Sequence, residues 1–252
     1  MSDTLLKIDG VSKHFDGIQA LDGFSCSVNR QEILGLIGPN GAGKTTLFNV
    51  LTGFLDCDRG QVLFNKKKIT QKAPHKIANL GITRTFQDLR LIKRLSVLQN
   101  VLLAFKNQPG EHMGNIFFRW KHCQSVEAAN TGKALSLLEH TGLRDKANAR
   151  ASDLSYGQQK LLSITCCLAA DAELLLLDEP VAGIAPEMIE KIMSIVRELP
   201  AQGKTVVVIE HNMDVVMQYC QRIIFMDAGQ KVSEGTSEEV RNDPRVIEAY
   251  LD

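Results

Sequence analysis

Apolar residues recur along the chain with three different periods, and each period predicts a different kind of element. From Leu5 to Val28, short apolar runs are separated by Asp9-Gly10, Asp16-Gly17 and Asp22-Gly23. Asp-Gly pairs accept the positive φ of tight turns, so this segment predicts a small antiparallel sheet. Ile33 to Ile37 is a compact apolar strand, followed by a glycine-rich turn and a helix from about Lys44 to Thr52 that Gly53 stops. Between about Asp88 and Thr165 the pattern becomes helical: Leu95, Leu98 and Leu102, then Ala134, Leu135 and Leu138, lie three and four residues apart. Leu174 to Leu177 and Thr205 to Ile209 are continuous apolar runs, as strands covered on both faces would be. Between them Met188, Ile189, Ile192, Met193, Val196 and Leu199 share one face of a helix over 187–199. Arg222 to Met226 and Lys231 to Glu234 flank Asp227-Ala228-Gly229-Gln230 as a hairpin, and Asp243-Pro244 opens a final short helix.

Together these elements predict an α/β fold: a parallel-sheet core, an N-terminal antiparallel β subdomain and an inserted α-helical subdomain. The core is expected over 1–87 and 166–252, with the helical part over 88–165 and a C-terminal tail over 236–252. A chain of 252 residues is ample for such a core. Lys plus Arg and Asp plus Glu both number 29, so no global charge argues for nucleic acid or an anionic membrane as partner. Lys66-Lys67-Lys68 is expected to be a solvated turn, and Phe117, Phe118 and Trp120 to be packing residues. The N-terminal MSDTLLKIDG lacks the long apolar core of a signal peptide. No stretch approaches the roughly 20 uninterrupted apolar residues that cross a bilayer; the richest, Leu161 to Leu177, is broken by Asp171 and Glu173. The six cysteines form no CxxC pair and are expected to be reduced and buried.

Two motifs carry chemistry. Gly38-Pro39-Asn40-Gly41-Ala42-Gly43-Lys44-Thr45, followed by Thr46, fits G-x-x-x-x-G-K-[ST] between a predicted strand and a predicted helix. Glycines there let backbone N–H groups turn inward on a triphosphate, and the helix N-terminus adds positive partial charge. Lys44 would reach the β- and γ-phosphates, and Thr45 would present its hydroxyl to Mg²⁺. The motif alone says P-loop nucleotide binding and leaves kinase, GTPase and ATPase open. The second motif is Leu174-Leu175-Leu176-Leu177-Asp178-Glu179, an apolar strand ending in two acids. Ligands of open α/β sheets gather at the carboxyl ends of strands, and successive residues point to opposite sides. Asp178 is therefore expected to hold Mg²⁺, through water, and Glu179 to polarise the attacking water.

Leu154-Ser155-Tyr156-Gly157-Gln158-Gln159 lies about twenty residues before the acid pair and by itself reads as a helix start capped by Ser155. Combined with the P-loop it resembles the signature sequence of ABC transporter ATPases. In the same resemblance Phe15 is the aromatic that stacks on adenine. Gln87, in Arg84-Thr85-Phe86-Gln87, links the metal to the helical subdomain, and His211, in Val207-Val208-Ile209-Glu210-His211, contacts the γ-phosphate. Within that superfamily GPNGAGKTTLFNVLTGF, TRTFQDLRLIKRLSVLQNV, LSYGQQ, VIEHNMDVVM and the terminal RNDPRVIEAYLD resemble the ATP-binding subunits of branched-chain (hydrophobic) amino-acid importers. The 106–131 insertion suits that subgroup as well.

The resemblance implies ATP held between the cradle of one subunit and Ser155, Gly157 and Gln158 of a second ABC ATPase, the same chain or a similar one. Glu179 would act with Gln87 and His211, and Mg²⁺ would rest on Thr45, Gln87 and Asp178. It further implies membrane-spanning permease subunits, a solute-binding protein acting indirectly, and a peripheral location on the cytoplasmic face of the cell membrane. Urea, short amides or another small solute stand as alternative cargo. A soluble ABC ATPase of DNA repair, translation or cofactor assembly is the rival class, against which the lack of a DNA-binding insertion or second cassette counts. The chain departs from the family pattern at Ala185, where Asn or Asp is usual, and at Cys166 and Lys160, where Arg is usual. Those substitutions put hydrolysis and communication between sites in question.

Overall fold

A computed structural model describes residues 3–87, 89–106 and 120–251. Asp16 and Gly17 both take positive φ, 43° and 90°, the conformation whose twist matches paired strands. They fold β1 (Thr4–Phe15) back onto β2 (Ile18–Asn29). The other two Asp-Gly pairs do not reverse the chain. Gly10 and Gly23, at φ 60° and 61°, sit within these strands beside shifts of register. A left-handed glycine there adds a residue to one strand, bending it while the pairing continues. β4 (Arg59–Phe64) and β5 (Lys67–Lys68) complete a four-stranded antiparallel sheet in the order β2-β1-β4-β5. Asn65 and Lys66 make the turn between them, and Lys66, Lys67 and Lys68 are exposed as expected.

The second sheet contains β3 (Ile33–Ile37), β6 (Ile82–Arg84), β7 (Leu174–Asp178), β8 (Thr205–Ile209), β9 (Arg222–Asp227) and β10 (Gln230–Gly235), in the order β10-β9-β3-β8-β7-β6. Every neighbouring pair is parallel except β9–β10, the expected hairpin. Each residue of β3, β7 and β8 is buried, which accounts for their unbroken apolar sequences. The short elements over 59–84 carried no clear periodic signal and were not anticipated. They include α2 (Pro74–Leu80) and the edge strand β6.

α1 (Lys44–Leu51) follows β3 and ends where Gly53 takes φ 72°. These strands belong to one compact unit comprising 1–87, 173–182 and 189–252. A second unit, 88–172 with 183–188, holds α3 (Val97–Leu103), α4 (Trp120–His140) and α5 (Tyr156–Ala169). The expected boundary at 165–166 falls inside α5, which continues to Ala169, and the units divide after 172. Val97, Val101, Ala134, Leu138, Leu161 and Leu162 are buried in that helical unit. Phe117 and Phe118 lie outside the described residues, as does the side chain of Trp120. α6 (Pro186–Glu198) buries Ile192, Met193, Ile195 and Val196, α7 is Met213–Tyr219, and α8 (Ser237–Arg241) and α9 (Pro244–Leu251) end the chain. No helix among the described residues is long and apolar enough to cross a membrane. The described cysteines are free, and burial pushes the thiols of Cys166 and Cys220 up to about 12.

α7 packs closely over β3, and Gly35 makes that approach possible. A Cβ at Gly35 would lie 2.7 Å from Val216 Cγ1 and 3.1 Å from Cys220 Sγ. Gly35→Ala is therefore expected to lower stability by about 1–3 kcal/mol through overpacking. Denaturant unfolding of the purified chain measures the loss, and an unchanged midpoint would show that α7 yields freely.

Candidate active site

The loop after β3 is shaped by its contacts as much as by its glycines. A Cβ at Gly38, whose φ is 147°, would lie 1.9 Å from Met226 O, and one at Gly43, at φ 97°, would lie 2.3 Å from Ala20 O. Both positions exclude any side chain, so the loop lies flush on β9 and β2. Pro39 is half-buried, Asn40 and Gly41 exposed, and Ala42 buried. Gly43 stands at the N-cap of α1 and provides no side-chain hydrogen bond to the helix start. Among the described residues no side-chain cap bond closes the start of α1, where the N–H groups of Lys44, Thr45 and Thr46 lie, the kind of helix start that can receive phosphate. Lys44 is buried, and its Nζ donates to the carbonyls of Gly38 (2.7 Å) and Pro39 (2.8 Å). Burial pulls its pKa down, while the nearby charges of Glu179 and Asp178 pull it back up. The lysine of the loop and the two acids of β7 therefore share one electrostatic neighbourhood.

The two acids occupy different environments, although Glu179 lies just beyond the strand. Asp178 is the last residue of β7 and is buried; its N–H donates to Thr85 Oγ1 at 2.9 Å. Glu179 follows with φ 48°, a left-handed backbone unusual for a glutamate. Its N–H is held by Ile209 O (2.9 Å). Its carboxylate meets two residues from separate segments: Gln87 Nε2 donates to Oε2 at 3.3 Å, and His211 Nε2 lies 3.0 Å from Oε1. With Glu179 ionised, the imidazole carries its proton on Nε2 and donates it. Gln87 and His211, expected from sequence to cooperate with Glu179, are thus each brought within hydrogen-bonding reach of it.

Two supporting residues, Arg84 and Glu210, had not been assigned a role. Arg84 Nη2 donates to Asp178 Oδ2 at 2.5 Å and Nη1 to Asn49 Oδ1 at 2.6 Å. Glu210 is buried, and its carboxylate accepts from the N–H groups of Val181 (2.8 Å) and His211 (3.3 Å). It ties the loop after Glu179 to the end of β8. The available signal was a charged residue at the end of an apolar strand, within stretches already singled out for Gln87 and His211.

Phe15 ends β1 with 42% exposure, and Lys13 Nζ stands 5.6 Å from its ring centroid. In the helical unit Ser155 caps α5: its side chain accepts from Gln158 N–H, and the Gln158 side chain accepts from Ser155 N–H. Gly157 lets Met188 approach, since a Cβ there would lie 2.9 Å from Met188 Cγ. Lys160 is buried with Nζ 5.4 Å from the Tyr156 ring centroid, and Ala185 is exposed just ahead of α6.

Comparison with known proteins agrees with this geometry. The family model described as ABC transporter matches residues 21–182, and that described as branched-chain amino acid ATP-binding cassette transporter matches 230–251. The chain is 40% identical to the probable branched-chain amino acid transport ATP-binding protein LivG of Methanocaldococcus jannaschii, over 100% of this chain and 99% of that protein. It is 36% identical to the high-affinity branched-chain amino acid transport ATP-binding protein LivG of Escherichia coli, again over 100% and 99%. A crystal structure of a nucleotide-free ATP-binding cassette from an ABC transporter superposes with a TM-score of 0.85 at 38% identity, covering 99% of both chains. A glycine-rich loop after β3, an acid pair at the end of β7 and full-length likeness to these cassettes place the chain in the ABC transporter family of ATP-hydrolysing subunits.

Proposed function

We propose that this chain hydrolyses ATP to drive an importer of branched-chain amino acids. The observation that carries the hydrolytic part is Glu179, held between Gln87 and His211 beside the Lys44 loop. Lys44 exchanges the carbonyls of Gly38 and Pro39 for the β- and γ-phosphates, and the uncapped N–H groups at the start of α1 share the phosphate charge. Glu179 takes a proton from the attacking water, oriented by His211 and Gln87. The donors near the phosphates are oxygens, Thr45 hydroxyl and Asp178 carboxylate, joined by the amide oxygen of Gln87. No cluster of three or more His, Cys, Asp or Glu among the described residues forms a cage of its own. That donor set fits Mg²⁺, which is held by few protein groups with phosphate and water completing the shell. When bound, Mg²⁺ neutralises charge on the transferring phosphoryl group.

Ser155, Gly157 and Gln158 act on the nucleotide of a second ATPase subunit. The pre-formed cap of α5 supports that reading, because it fixes the Ser155 backbone and hydroxyl at the start of the helix. The helical unit and Gln87 pass the resulting motion to membrane-spanning permease subunits at the cytoplasmic face; a solute-binding protein, a partner of the chain only indirectly, brings cargo to those subunits from the opposite side. Branched-chain amino acids as cargo rest on the C-terminal match over 230–251 and on the relatives' activity.

Two outcomes follow. Glu179→Gln is expected to keep ATP binding while turnover falls at least about tenfold; phosphate release by the full-length chain reads this, and wild-type turnover would remove Glu179 as the base. Co-expressed with its membrane and solute-binding partners, the chain is expected to drive ATP-dependent uptake of leucine, isoleucine and valine. Uptake of urea or short amides in their place would overturn the cargo and leave the ATPase intact.

A further inference from the structure

We propose that Arg84 is the positioning residue for Asp178, fixing the metal-facing carboxylate to the helix that carries Lys44 and Thr45; the inference rests on the reading of Asp178 as a Mg²⁺ residue. Arg84 closes β6, and its side chain and that of Asp178 are 4% and 2% exposed. The guanidinium divides its terminal nitrogens between two elements: Nη2 goes to Asp178 Oδ2, Nη1 to Asn49 Oδ1 on α1. Phe48 and Phe86 flank it, with ring centroids 5.3 and 5.1 Å from Cζ. Its Nε is buried without a hydrogen-bond partner among the described residues.

That orphaned Nε separates two explanations. An arginine present only to neutralise a buried carboxylate gains most by offering two nitrogens to it side by side. Arg84 forgoes that fork and bridges instead, leaving a donor unmet in order to span α1 and β7. Asn49 lies five residues beyond Lys44 and four beyond Thr45 on α1, so the bridge sets the carboxylate relative to the helix that presents the Thr45 hydroxyl. Thr85, the next residue, holds the Asp178 backbone N–H at 2.9 Å. Side chain and main chain of Asp178 are therefore both anchored from the segment that leads into Gln87. With Oδ2 committed to Arg84, Oδ1 remains for the hydrated cation, as outer-shell partners orient metal-facing carboxylates generally.

The test uses the full-length chain in a Glu179→Gln background, with a fluorescent ATP analogue bound first in EDTA and then titrated with Mg²⁺. Arg84→Lys keeps the charge and loses the bridging fork. It is expected to bind metal-free nucleotide within about twofold of the parent and to need about tenfold more Mg²⁺ at the midpoint. Asn49→Ala, which frees one arm, should move the midpoint in the same direction by a smaller factor. Arg84→Met should shift it furthest; if its circular dichroism shows an unfolded chain, the other two variants decide. An unmoved Mg²⁺ midpoint in folded Arg84→Lys overturns the proposal, as does an equal loss of metal-free nucleotide affinity, which would mark Arg84 as a general prop. Asp178→Asn serves as the separate control: should it leave the midpoint untouched, the reading of Asp178 as a metal residue fails, whatever Arg84 does.

Discussion

Everything at the site depends on the register of β7 against β8. Asp178 pairs with Ile209, and Leu36 of β3 pairs with the same Ile209 from the other side. Because the three strands run parallel, the phosphate loop, the acid pair and His211 all emerge at one edge. A slip of one residue would move Asp178 off its pairing with Ile209 and turn a different side chain to each face at the strand end. The apolar patterns of these strands cannot prevent such a slip, since every position is buried on both faces and any register suits them. The polar contacts at the strand ends do the choosing: Asp178 N–H to Thr85 Oγ1, and Glu179 N–H to Ile209 O.

Once register is fixed, electrostatics separates the roles of the two acids. Asp178 is buried and would be costly to leave ionised alone, so Arg84 meets it with a full charge. Glu179 is partly open, with 17% side-chain exposure, and is met by an amide and an imidazole. The two carboxylates are thus held differently, one by a buried guanidinium and the other between Gln87 and His211. The left-handed backbone of Glu179, of a kind that costs about 1–3 kcal/mol, points to the same division. It turns the side chain out of the strand's alternation, toward Gln87 and His211, and the bonds from Ile209 O and Glu210 hold the turn in place.

Much of this was legible in the sequence, for identifiable reasons. Continuous apolar runs located β3, β7 and β8, and the glycine spacing located the phosphate loop, because burial and close backbone approach leave compositional marks. Asp-Gly pairs were less reliable: Asp16-Gly17 turns the chain, whereas Gly10 and Gly23 bulge within strands, since the same positive φ serves both ends. β6 and α2 were missed because edge strands and single-turn helices bury too little to impose a period. Arg84 and Glu210 were invisible as functional residues for a different reason. Glu210 at the end of an apolar strand reads as a solvated terminus, Arg84 stands in a segment with no legible period, and only the fold shows each one held against a backbone or a carboxylate from a distant segment.

The departures from the family pattern become easier to weigh once their surroundings are known. Lys160, buried with its ammonium against the Tyr156 ring, keeps a cation there without the planar fork of arginine. Cys166 lies on α5, and burial holds its thiol protonated, so it replaces a charge with a small neutral group. Ala185 has a plainer effect: it precedes the first turn of α6 where Asn or Asp would cap the helix, and alanine offers no acceptor. Met188, in that first turn, donates its N–H to Ala185 O at 2.9 Å, and Gly157 admits the Met188 side chain close to its own Cα. In this chain Gly157 thus serves two needs at once, a side-chain-free position in the first turn of α5 and room for Met188 in the first turn of α6. A side chain at position 157 would disturb both through the same clash.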